Sequence, residues 1–234
     1  MSFFLVRVFL YALAALAAGT AAAKFAWWHE HLGRAWALFS LEFLLLLVNY
    51  VLRRAAPEAA LALNATLIAA NLAQIAAYWL MARVLDAAGI AYLMSPAKRI
   101  LLTAAALAVA IALCHASLLA QWQALRSGTL QPGALVSVLA DVVTFTLIAP
   151  LAMAALALRG GRLSWIFGFL ALSVVGWMIN TGAISIAVAF GGDADALRLI
   201  RTAGVAVATT CNAAAAATQS FAAHRAMKGA GADA

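Results

Sequence analysis

The stretch Leu61-Ala62-Leu63-Asn64-Ala65-Thr66-Leu67-Ile68-Ala69-Ala70-Asn71-Leu72-Ala73-Gln74-Ile75-Ala76-Ala77-Tyr78-Trp79-Leu80-Met81-Ala82 carries no charge from end to end. At ~1.5 Å rise per residue, a helix of this length crosses a hydrocarbon core about 30 Å thick. It reads as a membrane span. Its polar residues Asn64, Asn71, Gln74 and Tyr78 are spaced by 7, 3 and 4 positions, so at ~100° per residue they fall within one arc of about 80°. Amides facing lipid would strand donors at a cost of about 2 kcal/mol or more each, so the stripe is expected to face other helices or a hydrated cavity. It serves either hydrogen bonding between helices or the lining of a binding site.

The rest of the chain has the same character. Of its 234 residues 67% are hydrophobic and only 10% charged, against roughly 25% charged in a soluble domain. The excess of +7 comes from 15 basic residues that sit at the ends of apolar runs instead of forming one patch. They read as lipid headgroup anchors and topology signals, which excludes nucleic acid as the partner in favour of the lipid bilayer. Cys114 and Cys211 lie inside apolar segments, so neither a disulfide framework nor a zinc cluster is indicated.

These patterns predict an all-α fold: a single bundle of seven transmembrane helices over about residues 2–23, 35–52, 61–82, 100–122, 134–158, 163–190 and 196–223, followed by a disordered tail over 226–234. Residues 1–23 also have the outline of a signal peptide and are read as a retained first helix. Residues 24–34 form a short solvated connection, in which His29-Glu30-His31 is too sparse for a metal site. A short interfacial segment is expected around 90–94. Proline at 150 removes the hydrogen bond to the carbonyl of residue 146 and should kink the fifth span. Gly168 and Gly176 should permit close helix contact on the sixth, and the Ala213 to Ala217 run on the seventh.

The candidate site residues are the few polar groups inside these spans. Glu42 and Asn49 stack on one side of the second span, where an uncompensated carboxylate costs ~2.5 kcal/mol or more, so Glu42 must be protonated or paired. Asn64, Asn71, Gln74 and Tyr78 follow on the third. His115 lies inside the fourth, and Asp141 stands on the fifth with Ser137 and Thr144 on adjacent turns. Asn180 on the sixth and Asn212 on the seventh complete the set. Should they converge, they would enclose a pocket with two carboxylates, one imidazole and several amides, suited to a small polar or cationic ligand or to passing protons.

Three function classes compete. A transporter or permease for a small solute, proton-linked or not, is the leading reading. Weak support comes from a loose repeat in which Glu42 precedes Trp79 by 37 residues and Asp141 precedes Trp177 by 36, as inverted repeats would require. A receptor or sensor working through a signalling partner is the alternative. An intramembrane enzyme or haem protein is the third, disfavoured because one buried histidine is too few for metal catalysis and Cys114 with His115 makes a poor dyad. A retinal Schiff base is disfavoured as well, since Lys24, Lys98 and Lys228 all stand at span ends. The chain is expected in a bacterial-type inner membrane, alone or as a homo-oligomer. Nine basic residues on the C-terminal side against six on the other put the C-terminus in the cytoplasm.

Overall fold

A computed structural model describes residues 3–25, 30–87, 89 and 95–230. Among them the regular structure is entirely helical. Helix α1 spans Phe3–Phe25, α2 Glu30–Ala55, α3 Ala60–Ala87 and α4 Pro96–Arg126. The chain continues as α5 Pro132–Thr146, α6 Ile148–Ala157, α7 Arg162–Thr181, α8 Ala183–Ala189 and α9 Ala194–Ala230.

Among the described residues six helices are long and apolar enough to cross a membrane: α1, α2, α3, α4, the α5 and α6 pair taken together, and α7. The expected count of seven is therefore not confirmed. Helix α9 is long enough, but Arg198, Arg201 and its run of Thr, Asn, Gln and Ser dilute the apolar residues. Boundaries also move. Helix α2 begins well before residue 35, so His31 sits in its first turn, not in a loop. His29 of that connection, with Trp27 and Trp28 before it, and the segment at 90–94 lie outside the described residues. The helix runs on to Ala230 where the composition suggests a disordered tail from 226, and 231–234 lie outside the described residues.

The helices close into a ring. Helix α9 packs on α1, α1 on α2, α2 on α3, α3 on α5, α6 on α7 and α7 back on α9. Helix α4 packs outside this ring against α5 and α8. Its buried residues are the small Ala106, Ala110, Cys114 and Ser117, one per helical turn, which let it lie close to its neighbours while the rest of its surface stays exposed.

One half of the ring is filled. Trp36, Phe39, Tyr78, Met81, Leu151, Ile166 and Leu170 interlock there with the alanines of α1 and α9, and Phe39 meets the Tyr78 ring edge-on at 4.8 Å. These residues belong to the half that carries the end of α1 and the start of α2. The other half, around the start of α1 and the end of α2, is not filled.

Two spans are interrupted, one against the filled half and one beside the unfilled half. The kink expected from Pro150 appears at Leu147, whose amide donates to the Thr144 carbonyl at 3.0 Å. The second break was not foreseen: the sixth predicted span stops at Thr181 and resumes as α8 after Gly182. A Cβ on Gly182 would lie 2.9 Å from the Met178 carbonyl and 3.3 Å from that of Leu113 on α4, so glycine lets the two helices meet backbone to backbone. Of the two glycines expected to bring helices together, Gly168 has nothing within 4 Å of its Cβ position, whereas Gly176 faces Gly204 on α9.

Candidate functional site

A cavity of about 370 Å³ occupies the unfilled half. It is walled by the start of α1, α3, α5 and α9 and by the end of α2, α4 and α7. Those ends coincide in an up-and-down bundle, so the cavity belongs to the side of the membrane where α1 begins. Below it lies the aromatic and aliphatic packing around Phe39 and Tyr78.

Six of the expected site residues meet in its wall: Glu42, Asn49, Asn71, Gln74, Asp141 and Asn180. The two acids are almost fully enclosed, with Glu42 1% and Asp141 4% exposed. Asp141 accepts a hydrogen bond from the Thr181 hydroxyl, placed there by the end of α7. The same residue's carbonyl accepts from Ser117 Oγ on α4 at 2.9 Å, and Ser185 Oγ donates to the Leu113 carbonyl at 3.0 Å. Helix α4 is thereby tied across the α7 to α8 break. Glu42 Oε2, Gln74 Nε2 and Trp177 Nε1 are buried in or beside this wall and find no protein partner among the described residues. Buried polar groups are nearly always paired, so three orphaned ones around one cavity mark a place where water or a solute completes the bonding.

The other five expected residues go elsewhere. The Asn64 side chain accepts the Gly133 amide proton at 2.9 Å and donates to the Ala60 carbonyl. It caps the start of α5 and ties it to α3. Tyr78 continues the polar stripe one turn below Gln74 but stands in the filled half. Thr144 and Asn212 are buried yet lie outside the cavity wall, Asn212 beside the Tyr78 hydroxyl. His115 is the clear correction: its side chain is exposed on the outer face of α4, while Cys114 beside it is buried. Adjacent helical residues point ~100° apart, so the shared pocket contains no imidazole from this helix. The described side chains of His31 and His224 are also exposed and stand outside this cavity's wall. Among the described residues no group of three or more metal-ligating side chains gathers. The loose repeat loses its tryptophans as equivalents: Trp177 lines the cavity, whereas Trp79 faces outward under Arg83.

Sequence reasoning missed the basic end of the site. Arg7, Arg53 and Arg201 line the same cavity, with Tyr11 and Tyr50 beside them. Arg53 Nε donates to Asn49 Oδ1 at 3.0 Å, and Arg7 Nη2 donates to Thr202 Oγ1 at 3.1 Å while its guanidinium lies 5.7 Å from the Tyr50 ring centre. A faint signal existed in the spacing of Glu42, Asn49 and Arg53, seven and four apart on one helix face. Arginines at span ends look alike in sequence whether they reach to headgroups or fold back inward. The arrangement can hold a solute by charge and hydrogen bonds and can exchange protons at two enclosed acids. The chain matches no family model, no curated protein and no solved structure.

Proposed function

We propose that this protein is a transporter or permease for a small polar or charged solute, with Glu42 and Asp141 as the groups that bind it or exchange protons with it. The observation that carries this reading is the meeting of both enclosed acids in one cavity that is continuous with one side of the bundle and closed toward the other. The break at Gly182, between Thr181 and Ile184 of the cavity wall, adds to it, since interrupted helices are where transporters expose backbone groups to solutes and where halves of a bundle hinge. In this reading α9 crosses as a seventh span between α1 and α7. With the C-terminus in the cytoplasm of a bacterial-type inner membrane, the cavity then faces away from the cytoplasm.

A receptor reading uses the same cavity without passage, and the solid packing of the other half favours it. Proton and solute flux in liposomes separates the two. Wild type should carry flux that Asp141→Asn lowers by an order of magnitude or more, with the variant still folded by size-exclusion chromatography. Absent flux, or flux unaffected by the change, removes the transport reading and leaves the receptor.

A further inference from the structure

From the charges at the two ends of the cavity we infer that its solute is zwitterionic, with an anionic end held by arginines near the opening and a cationic end held by Glu42 and Asp141 at the floor. The inference rests on the cavity being a solute site. Cation recognition alone would explain the acids, but not three guanidiniums in the same wall. No ion pair joins Arg7, Arg53 or Arg201 to an acid among the described residues, unlike Arg99 with Asp86 and Arg198 with Asp195. An arginine that only anchors to headgroups extends outward, whereas Arg53 bends back onto Asn49, one turn deeper.

The floor has the complementary lack. Glu42 Oε2 has no donor from the protein, and Gln74 Nε2 and Trp177 Nε1 beside the cavity have no acceptor. An ammonium or quaternary ammonium group at the floor would supply charge to the acids. The orphaned donors suit water or a polar atom along the solute's stem.

Spacing sets the length. Asn49, which holds the Arg53 guanidinium, stands seven residues from Glu42 on α2, about 10 Å along the axis at ~1.5 Å per residue. Allowing ~2.8 Å for a charge-assisted hydrogen bond at each end leaves roughly 4 to 5 Å between the solute's opposite charges. That is the reach of a β- or γ-amino acid, longer than an α-amino acid. A cavity of about 370 Å³ holds such a molecule together with several waters. A solute without a cationic end would leave the enclosed acids uncompensated, while one without an anionic end would forgo the more exposed arginines at the opening, which is the basis for selectivity.

The test is equilibrium titration of wild-type protein in a maltoside detergent, which brings no zwitterionic headgroup. The probes are the ω-amino acids from glycine to 6-aminohexanoate, with butylamine and butanoate as single-charge controls. Affinity should peak at 3-aminopropanoate or 4-aminobutyrate and exceed both controls at least tenfold. Arg53→Gln should lower 4-aminobutyrate to the butylamine level and leave butylamine unchanged, and Glu42→Gln should lower it to the butanoate level. Butylamine binding as tightly as 4-aminobutyrate, or no probe binding to wild type, overturns the inference. So does loss of binding in nanodiscs when phosphatidylethanolamine replaces phosphatidylglycerol, which would assign the site to a lipid headgroup. Binding is read apart from flux: discrimination without flux keeps the ligand class and removes transport, while flux without discrimination does the reverse.

Discussion

Replacing Gly204 with alanine adds one methyl group at the tightest helix crossing in the bundle, where α9 meets α7. The new Cβ would stand 2.6 Å from the Asn180 amide nitrogen and 2.7 Å from the Gly176 carbonyl oxygen. Both neighbours are backbone, so neither can swing aside, and the helices must part by about 1 Å to restore ordinary contact at ~3.5 Å. Strain of this kind costs about 1–3 kcal/mol, against which alanine gains about 0.5–1 kcal/mol in helix propensity. The net loss of about 1–2 kcal/mol corresponds to a Tm lower by roughly 3–6 °C in a chain of this size. Gly168 on the same helix as Gly176 is the control, because nothing lies within 4 Å of its Cβ position. Gly168→Ala should leave Tm unchanged or raise it slightly. Thermal unfolding in detergent, followed by near-ultraviolet circular dichroism or by loss of the monodisperse peak, measures both. Equal Tm values for the two variants, or a higher one for Gly204→Ala, would refute the backbone contact between α7 and α9.

Asn49 donates to the Leu63 carbonyl at 2.7 Å and to Thr66 Oγ1 at 2.8 Å, bridging α2 to α3; at ~0.6 kcal/mol per such bond in a membrane, Asn49→Ala should cost roughly 1 kcal/mol and lower Tm by a few degrees. The same variant frees Arg53 and should weaken solute binding by more than that stability loss accounts for, which titration can read. His115→Leu should leave flux within twofold and Tm unchanged, because the ring projects from the outer face of α4; a tenfold loss would mean that this histidine reaches the site. With Cys114 and Cys211 replaced by alanine, Asn180→Cys should react with a membrane-impermeant thiol reagent from the side on which α1 begins, and Phe39→Cys from neither side. Reaction of both, or reaction of Asn180→Cys from the other side, would contradict the placement of the cavity.

How the chain would divide between lipid and interior was legible because desolvation acts on each residue separately. The third-helix stripe faces inward as its spacing requires, since a stranded amide costs the same wherever it sits in a hydrocarbon medium. Pro150 likewise acts through its own ring and missing N–H, so its kink could be placed from sequence. The break at Gly182 could not. Glycine is tolerated in a continuous membrane helix, and the break here depends on the approach of Leu113 from a helix about seventy residues away in the chain.

The same distinction governs the site. Hydropathy and helical period by themselves determined that this is a helical membrane protein, and which face of α3 is polar. They could not decide whether Glu42 and Asp141 share a space, because that depends on α2 and α5 meeting across a ring whose closure runs through α3, α7, α9 and α1. Only the tertiary structure set His115 outside and turned Arg53 inward. A helix offers each residue a direction, but what lies in that direction is chosen by the packing of the neighbouring helices.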